Sequence, residues 1–166
     1  MNKLMRILKH LFATRWQVKR LFPQRSMHSI EHAIRSSENW HTGELRFVVE
    51  AGLDWPELMS GTSSRKRAID VFSQLRMWDT EHNSGVLIYL LLADSKVEIL
   101  ADRGINSRVS QAEWVKICQD MESQFRTGNF ESGVLTGIAS ITLLLKQHFP
   151  AAQHKTNDLP DRPLIL

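Results

Sequence analysis

The feature that most constrains the fold is the apolar run over residues 86–93, which has hydrophobic side chains at even and odd positions alike. A strand that is apolar on both faces belongs in the middle of a sheet with both faces covered. The run is far shorter than the ~20 residues that a membrane-spanning helix requires. The chain of 166 residues is long enough to bury a core without disulfides or a structural metal. The run therefore predicts an α/β domain.

Neighbouring segments extend this prediction to a topology. Residues 44–51 alternate between apolar and polar positions, which is typical of a half-buried strand. A helix capped at Thr62 or Ser63 separates this strand from the apolar run, and such a connection favours a parallel, right-handed crossover. Residues 96–101 alternate again after a tight turn, which predicts an antiparallel hairpin. With the other predicted helices, the order is α-α-β-α-β-β-α-α, a three-layer α/β/α sandwich around a small mixed sheet.

The N-terminal segment differs in charge from the rest of the chain. Residues 1–25 contain seven basic residues and no acid, whereas the whole chain has a net charge of +3. The body is therefore mildly acidic and carries a basic arm. We divide the chain into this arm (1–25), an α/β/α domain (26–150) and a polar C-terminal tail (151–166).

The arm is predicted to form one helix over residues 2–22, because its apolar residues recur at helical spacing. These apolar positions include Leu4, Leu8, Leu11 and Phe12. Charged residues interrupt them, so the segment is not a secretory signal. Three interpretations stay open, namely a helix docked on its own core, a helix lying on a membrane surface, and a nucleic-acid contact. The absence of a nucleic-acid motif argues against the third.

Two aspects of the side-chain composition bear on location and packing. Cys118 is the only cysteine and lies on a predicted helical stripe, so it is expected to be a packed core thiol in a cytoplasmic protein. The tryptophans of the body are also expected in the core. They are Trp40, Trp55, Trp78 and Trp114.

The predicted topology brings polar residues together at one edge of the sheet. The strands at 44 and 86 begin there, and the hairpin returns residue 101 to the same edge. The residues collected are His41, Glu44, the loop 79–83, Asp102 and Arg103. The carboxylates of Asp79, Glu81 and Asp102 are hard ligands suited to calcium or magnesium. A solvated acidic turn is the alternative interpretation, and Arg46 is expected to form an ion pair with Glu44 or Glu50.

Several of these segments resemble the TPM domain family. They are SE at 37–38, HTGELR at 41–46, WDTEHNSGVLIY at 78–89, ADRGI at 101–105, HFP at 148–150 and DLPDRP at 158–163. The resemblance covers residues 26–166, and the C-terminal motifs are similar to those of a short bacterial branch of the family. It implies an α/β/α sandwich, phosphatase-like activity in some members, cation binding through acidic residues in sheet-edge loops, and accessory roles in membrane complexes. The acidic segment that opens many family domains is replaced here by residues 24–29, and no export signal or membrane anchor is expected.

Two functional hypotheses follow. The first is a non-catalytic or weakly catalytic interaction module, whose acidic edge binds a divalent cation or a partner. This module is cytoplasmic, and the arm holds it at a membrane surface or a membrane-protein complex. The second is a divalent-metal-dependent phosphomonoesterase, in which Asp79, Glu81 and Asp102 hold the metal and His41 or Arg103 lies near the phosphate. We favour the first, because the sequence contains no visible nucleophile–base pair. Neither nucleic acid nor an organic cofactor is expected.

Overall fold

The predicted sheet is present in the computed structural model, which describes residues 3–151 and 158–166. Its strands, in chain order, are β1 (Glu44–Glu50), β2 (Gly85–Leu91), β3 (Lys96–Ala101) and β4 (Leu164–Ile165). The spatial order is β3-β2-β1-β4, with β1 parallel to both β2 and β4 and β3 antiparallel to β2. The parallel crossover and the hairpin are therefore confirmed.

Helices cover both faces of this sheet. In chain order they are α1 (Lys3–Phe12), α2 (Arg15–Leu21), α3 (Gln24–Ser37), α4 (Trp55–Met59), α5 (Ser64–Gln74), α6 (Arg103–Asn106), α7 (Gln111–Arg126) and α8 (Phe130–His148). Side chains of α2, α3, α7 and α8 form one core with alternate residues of β1 and β2. Side chains of α5 form a second core on the opposite face. The α/β/α architecture is thus confirmed.

The central position of β2 explains its composition. All of its residues are buried, so each side chain contacts one core or the other. Val86, Ile88 and Leu90 belong to the core with α7 and α8, whereas Leu87 and Leu91 belong to the core with α5. Fully burying a side chain of this size contributes about 1.5–3 kcal/mol. This strand therefore joins the two layers into one structure.

The arm differs from its predicted form. It is two helices rather than one, because Thr14 starts α2 with a capping box in which its side chain and that of Gln17 bond each other's backbone N–H groups. Val18 in α2 and Phe22 just after it are buried in the core. The exposed fractions of the α1 side chains Leu11 and Phe12 are 58% and 72%. The interpretation that the arm docks on its own core is thus confirmed for α2. It is wrong for α1, whose side chains Leu11 and Phe12 are exposed.

Other differences arise in segments without a clear period. The short helices α4 and α6 were not predicted, and β4 lies in the predicted tail. Trp114 is buried as expected. The core prediction is wrong for Trp40, Trp55 and Trp78, each of which is more than half exposed.

Candidate functional site

The edge predicted from topology is assembled in the structure. Glu44 at the start of β1 is level with Gly85 at the start of β2, and Ala101 at the end of β3 is level with Val86. We call residues 41–44, 78–85 and 102–104 the sheet edge. The sequence prediction that these segments meet is confirmed.

Two glycines hold the segments of the sheet edge close together. A Cβ atom at Gly85 would collide with the carbonyl of Met77, and a Cβ at Gly104 would lie 2.6 Å from the carbonyl oxygen of Asn83. The Gly104 N–H instead donates a 3.2 Å hydrogen bond to that oxygen. Asn83 itself has a left-handed backbone with φ of 51°, which asparagine tolerates better than most residues. Gly85 and Gly104 are therefore required at these positions, because a side chain would prevent the close approach of the neighbouring backbone carbonyls.

Asp102 and Arg103 occupy defined positions at this edge. Asp102 caps α6, and its Oδ1 accepts a 2.7 Å hydrogen bond from the Arg103 N–H. The Oδ2 atom of Asp102 is buried without a hydrogen-bond partner among the described residues. The guanidinium of Arg103 donates from Nε and Nη2 to Oδ1 of Asn83, at 3.2 and 3.1 Å. Arg103 therefore ties the loop to α6, while one oxygen of Asp102 keeps its acceptor capacity.

Asp79 and Glu81 lie on the exposed part of the loop. The Glu81 N–H donates a 3.1 Å hydrogen bond to Oδ2 of Asp158, and the Glu81 carboxylate lies 4.0 Å from Nε2 of His82. Across residues 3–151 and 158–166, no three His, Cys, Asp or Glu side chains come close enough to hold a metal ion together. The carboxylates of Asp79, Glu81 and Asp102 thus share an edge without forming a complete ligand set, and the metal assignment stays a prediction.

The other two polar residues predicted for this edge are buried. His41 has no exposed surface, and its Nδ1 lies 3.1 Å from the carbonyl oxygen of Gly43. Glu44 is 1% exposed, and its Oε2 accepts a 3.4 Å hydrogen bond from the Leu159 N–H. The hydroxyl of Ser84 donates to the carbonyl of Thr42 rather than to a base. The side chains of His41 and Glu44 therefore lie inside the edge, and a role of His41 near a phosphate stays a prediction.

The prediction that Arg46 forms an ion pair with Glu44 or Glu50 is wrong. Glu50 binds Arg67 of α5 instead, through Nη2 at 2.7 Å and Nε at 2.9 Å, and it also accepts a hydrogen bond from the hydroxyl of Tyr89. Arg46 has no ion pair with any described residue. The partner of Glu50 comes from another element, which spacing along β1 does not reveal.

A second candidate surface lies on α1, whose side chains Arg6 and His10 face the body. Arg6 Nη2 lies 2.8 Å from Oδ2 of Asp94, and His10 Nε2 lies 3.0 Å from Oδ1 of the same carboxylate. The buried imidazole of His10 accepts a 2.8 Å hydrogen bond at Nδ1 from the Leu53 N–H. Asp94 therefore orients α1 by its polar face.

Most apolar side chains of α1, together with Trp16 of α2, consequently face solvent. We call this surface the arm patch, and it comprises Leu4, Met5, Leu8, Leu11, Phe12 and Trp16, which are 42–72% exposed. Exposed basic residues accompany it, at Lys9, Arg15, Lys19 and Arg20. The guanidinium of Arg20 lies 5.7 Å from the ring centroid of Trp16. Monomeric proteins rarely expose a contiguous apolar surface of this kind unless it binds something.

The helices in the described part of the chain include none with both the length and the apolar character needed to cross a membrane.

Comparisons with known proteins bear on the whole domain. A family model described as the TPM domain matches residues 19–143. The NMR structure of the BA42 protein from the psychrophilic bacterium Bizionia argentinensis is 31% identical, with a TM-score of 0.76 over 86% of this chain and 93% of that one. The N-terminal domain of a P. gingivalis protein shares the fold at 16% identity, with a TM-score of 0.62 over 81% of this chain and 83% of that one. No curated protein matches.

Proposed function

This chain belongs to the TPM domain family, and we propose that it is an interaction module of that family which the arm patch seats on an anionic membrane surface. The observation that carries the proposal is the orientation of α1. Its polar residues Arg6 and His10 are bound to Asp94, so its apolar residues face outward. An amphipathic helix that packs on the core of its own domain has the opposite orientation, with its apolar face inward.

The chemistry of the arm patch supports a membrane rather than a protein groove. Large apolar side chains, including Phe12 and Trp16, stand beside four exposed cations, which is the composition of helices that lie in the headgroup region of a bilayer. Each basic residue near an anionic surface contributes about 1 kcal/mol to binding. Four of them together with inserted apolar side chains are sufficient for reversible attachment.

Sedimentation of the full chain with vesicles tests this proposal. We expect binding to vesicles that contain an anionic phospholipid, weaker binding at high salt, and little binding to neutral vesicles. Phe12→Glu places a charge in the arm patch and should reduce the bound fraction about tenfold or more. Leu143→Glu is the matched control, because Leu143 is 69% exposed on α8 and lies outside the arm patch. Equal binding of both variants, or no binding to anionic vesicles, would contradict the proposal.

The sheet edge is proposed to bind a divalent cation, calcium or magnesium, in the same module. The buried Oδ2 of Asp102, which lacks a hydrogen-bond partner among the described residues, supports this. The exposed carboxylates of Asp79 and Glu81 lie in the loop bonded to α6 and supply further hard oxygen ligands. A complete site would need these carboxylates to approach Asp102 or water to bridge them.

Calorimetric titration with calcium and with magnesium tests the cation site. We expect saturable heat that is lost in Asp102→Asn and Asp79→Asn and kept in Asp120→Asn, a control on the exposed surface of α7. Identical titrations of all four proteins would exclude the site. Metal-dependent hydrolysis of a phosphomonoester by the wild type, lost in Asp102→Asn, would instead favour the phosphatase alternative.

A further inference from the structure

A cavity of about 660 Å³ lies between the arm, α3, β1 and the C-terminal segment. Its apolar lining includes Phe22, Met27, Leu164 and Ile165. Cavities of ~300–1,000 Å³ that combine apolar walls with a few polar groups are typical of small-molecule sites. The sheet edge and the arm patch contribute none of these four residues.

The cavity follows from how β4 joins the sheet. β4 pairs with β1 only at Val48–Leu164 and Val49–Ile165. Arg46 and Arg162 each precede this pairing by two residues, and both line the cavity. The two backbones are therefore unpaired at these arginines, which leaves the outer side of β1 open to the cavity at Arg46 but covered from Val48 onward.

The charge of the lining is predominantly positive. Lys19, Arg46 and Arg162 have no ion pair or side-chain hydrogen bond with any described residue. Glu31, the acidic residue of the lining, accepts a 3.1 Å hydrogen bond from Nη2 of Arg35. The cavity thus presents three cations that lack an anionic partner of their own.

Arg46 is the most informative of the three. Its side chain is half-buried, and its Nε is inaccessible to solvent without a hydrogen-bond partner in the described chain. Burial lowers the pKa of this guanidinium. Arg67, which is also half-buried, shows the usual solution, because it contacts the carboxylates of both Glu50 and Glu57. A partly desolvated guanidinium without a counter-ion is unfavourable, and a ligand that carries an anionic group would supply the counter-ion.

We propose that this cavity binds a small amphiphilic anion, whose carboxylate or phosphate group pairs with Arg46 and Arg162 and whose apolar chain lies against Phe22 and Met27. The anionic group would supply the hydrogen-bond acceptor that Nε of Arg46 lacks. The apolar chain would remove the apolar walls of the cavity from water. This site goes beyond the membrane and cation functions proposed above, since its ligand is a soluble small molecule.

Calorimetric titration of the full chain with octanoate and octyl phosphate tests the proposal. We expect saturable binding of at least one of them, and the tighter of the two identifies the preferred anionic group. Acetate, which lacks the apolar chain, and octanol, which lacks the charge, should bind about tenfold more weakly or not at all. Acetate binding as tight as octanoate binding would overturn the assignment of the apolar walls.

Variants distinguish anion binding in the cavity from anion binding by positive charge elsewhere on the surface. Arg46→Gln should weaken binding about tenfold or more, and Arg162→Gln, at an exposed position, should weaken it about threefold. Arg126→Gln, on the exposed end of α7, is the control and should bind like the wild type. Unchanged affinity in both Arg46→Gln and Arg162→Gln would overturn the proposal.

Thermal unfolding without ligand gives an independent readout. An arginine whose role is ligand binding does not stabilise the ligand-free fold, so its replacement should not lower stability. We therefore expect the Tm of Arg46→Gln to equal or exceed that of the wild type. A lower Tm would mean that Arg46 has a structural role, and would overturn the proposal. Vesicle binding should be unchanged in Arg46→Gln, so failure of this site and failure of the membrane proposal give different results.

Discussion

The carboxylate of Asp94 binds both Arg6 and His10 of α1, which makes Asp94→Ala an informative substitution. Two backbone contacts also hold α1, because Arg6 Nη2 donates a 2.7 Å hydrogen bond to the Thr62 carbonyl and His10 Nδ1 accepts one from the Leu53 N–H. The carboxylate of Asp94 accepts hydrogen bonds from Arg6 Nη2 at 2.8 Å and from Nε at 3.1 Å, and it contacts His10 Nε2 at 3.0 Å. The apolar residues of α1 are largely exposed and add little burial. We therefore expect Asp94→Ala to release α1 while the rest of the domain stays folded.

The size of this effect can be estimated from the contacts. A hydrogen bond to a charged group contributes about 1.5–3 kcal/mol, with the lower value applying where the partner is partly exposed. The side chains of Arg6 and Asp94 are 21% and 9% exposed, and that of His10 is fully buried. Two such partners at the lower value give about 3 kcal/mol. This corresponds to roughly a hundredfold change in the equilibrium between docked and released α1.

Amide hydrogen exchange measures this equilibrium directly. In Asp94→Ala, the amides of α1 should exchange roughly a hundredfold faster, whereas those of α8 should keep the wild-type rate. Asp70→Ala is the control, because Asp70 lies on α5 and has no ion pair or side-chain hydrogen bond with the described residues of the arm. Unchanged protection of α1 in Asp94→Ala would refute the idea that this carboxylate holds the arm.

The pH dependence of the same contact follows from its charge. Burial favours a raised pKa for Asp94, but the hydrogen bonds from Arg6 and His10 outweigh it and hold the pKa below its ordinary value. The carboxylate therefore stabilises docking fully above the ordinary aspartate pKa of about 3.9. This contribution is lost as the pH falls through the lower, folded-state pKa. Protection of α1 should thus be constant between about pH 7 and pH 5 as far as Asp94 is concerned.

Three further predictions concern the domain itself. Gly104→Ala should lower the free energy of unfolding in urea by about 1–3 kcal/mol, because the new Cβ would lie 2.6 Å from the Asn83 carbonyl oxygen and 2.8 Å from that of His82; wild-type stability would show that α6 can shift. Burial, followed by the charge of Glu50, raises the pKa of Tyr89, the only tyrosine. Near-ultraviolet titration should therefore show no tyrosinate step near pH ~10 in the folded protein, and stability should fall as the pH rises above that value; a normal step would contradict the buried hydroxyl. Burial also raises the pKa of Cys118 to about 12, so alkylation at pH ~8 should be roughly a thousandfold slower than in the unfolded chain, and comparable rates would show that the thiol is accessible.

The strands and their pairing could be predicted because the relevant signals are local. The apolar run identifies β2, the alternation after residue 44 identifies β1, and the intervening helix determines their parallel order. The meeting of the starts of β1 and β2 with the end of β3 at the sheet edge follows from that topology. The prediction of one helix over residues 2–22 missed the break in the arm, although Thr14 and Gln17 have the spacing of a capping box.

The features that sequence reasoning missed depend on contacts between distant residues. Helical periodicity shows that α1 has two faces, but the face that docks is chosen by Arg6 and His10 binding Asp94 far along the chain. Similarly, Arg46 lacks an ion pair because Arg67 on α5 occupies Glu50. β4 is too short to carry an alternating pattern of its own.

β4 also determines how β1 behaves towards other chains. It covers the outer side of β1 through its parallel pairing and through the 3.0 Å hydrogen bond from the Leu166 N–H to the Val49 carbonyl. Without β4, the outer backbone groups of β1 would be an open edge, able to pair with any extended peptide. The same segment from a second copy carries the correct side chains for this position. Removal of residues 158–166 should therefore turn the domain into an acceptor for strand addition, whose dimers and larger assemblies increase with concentration.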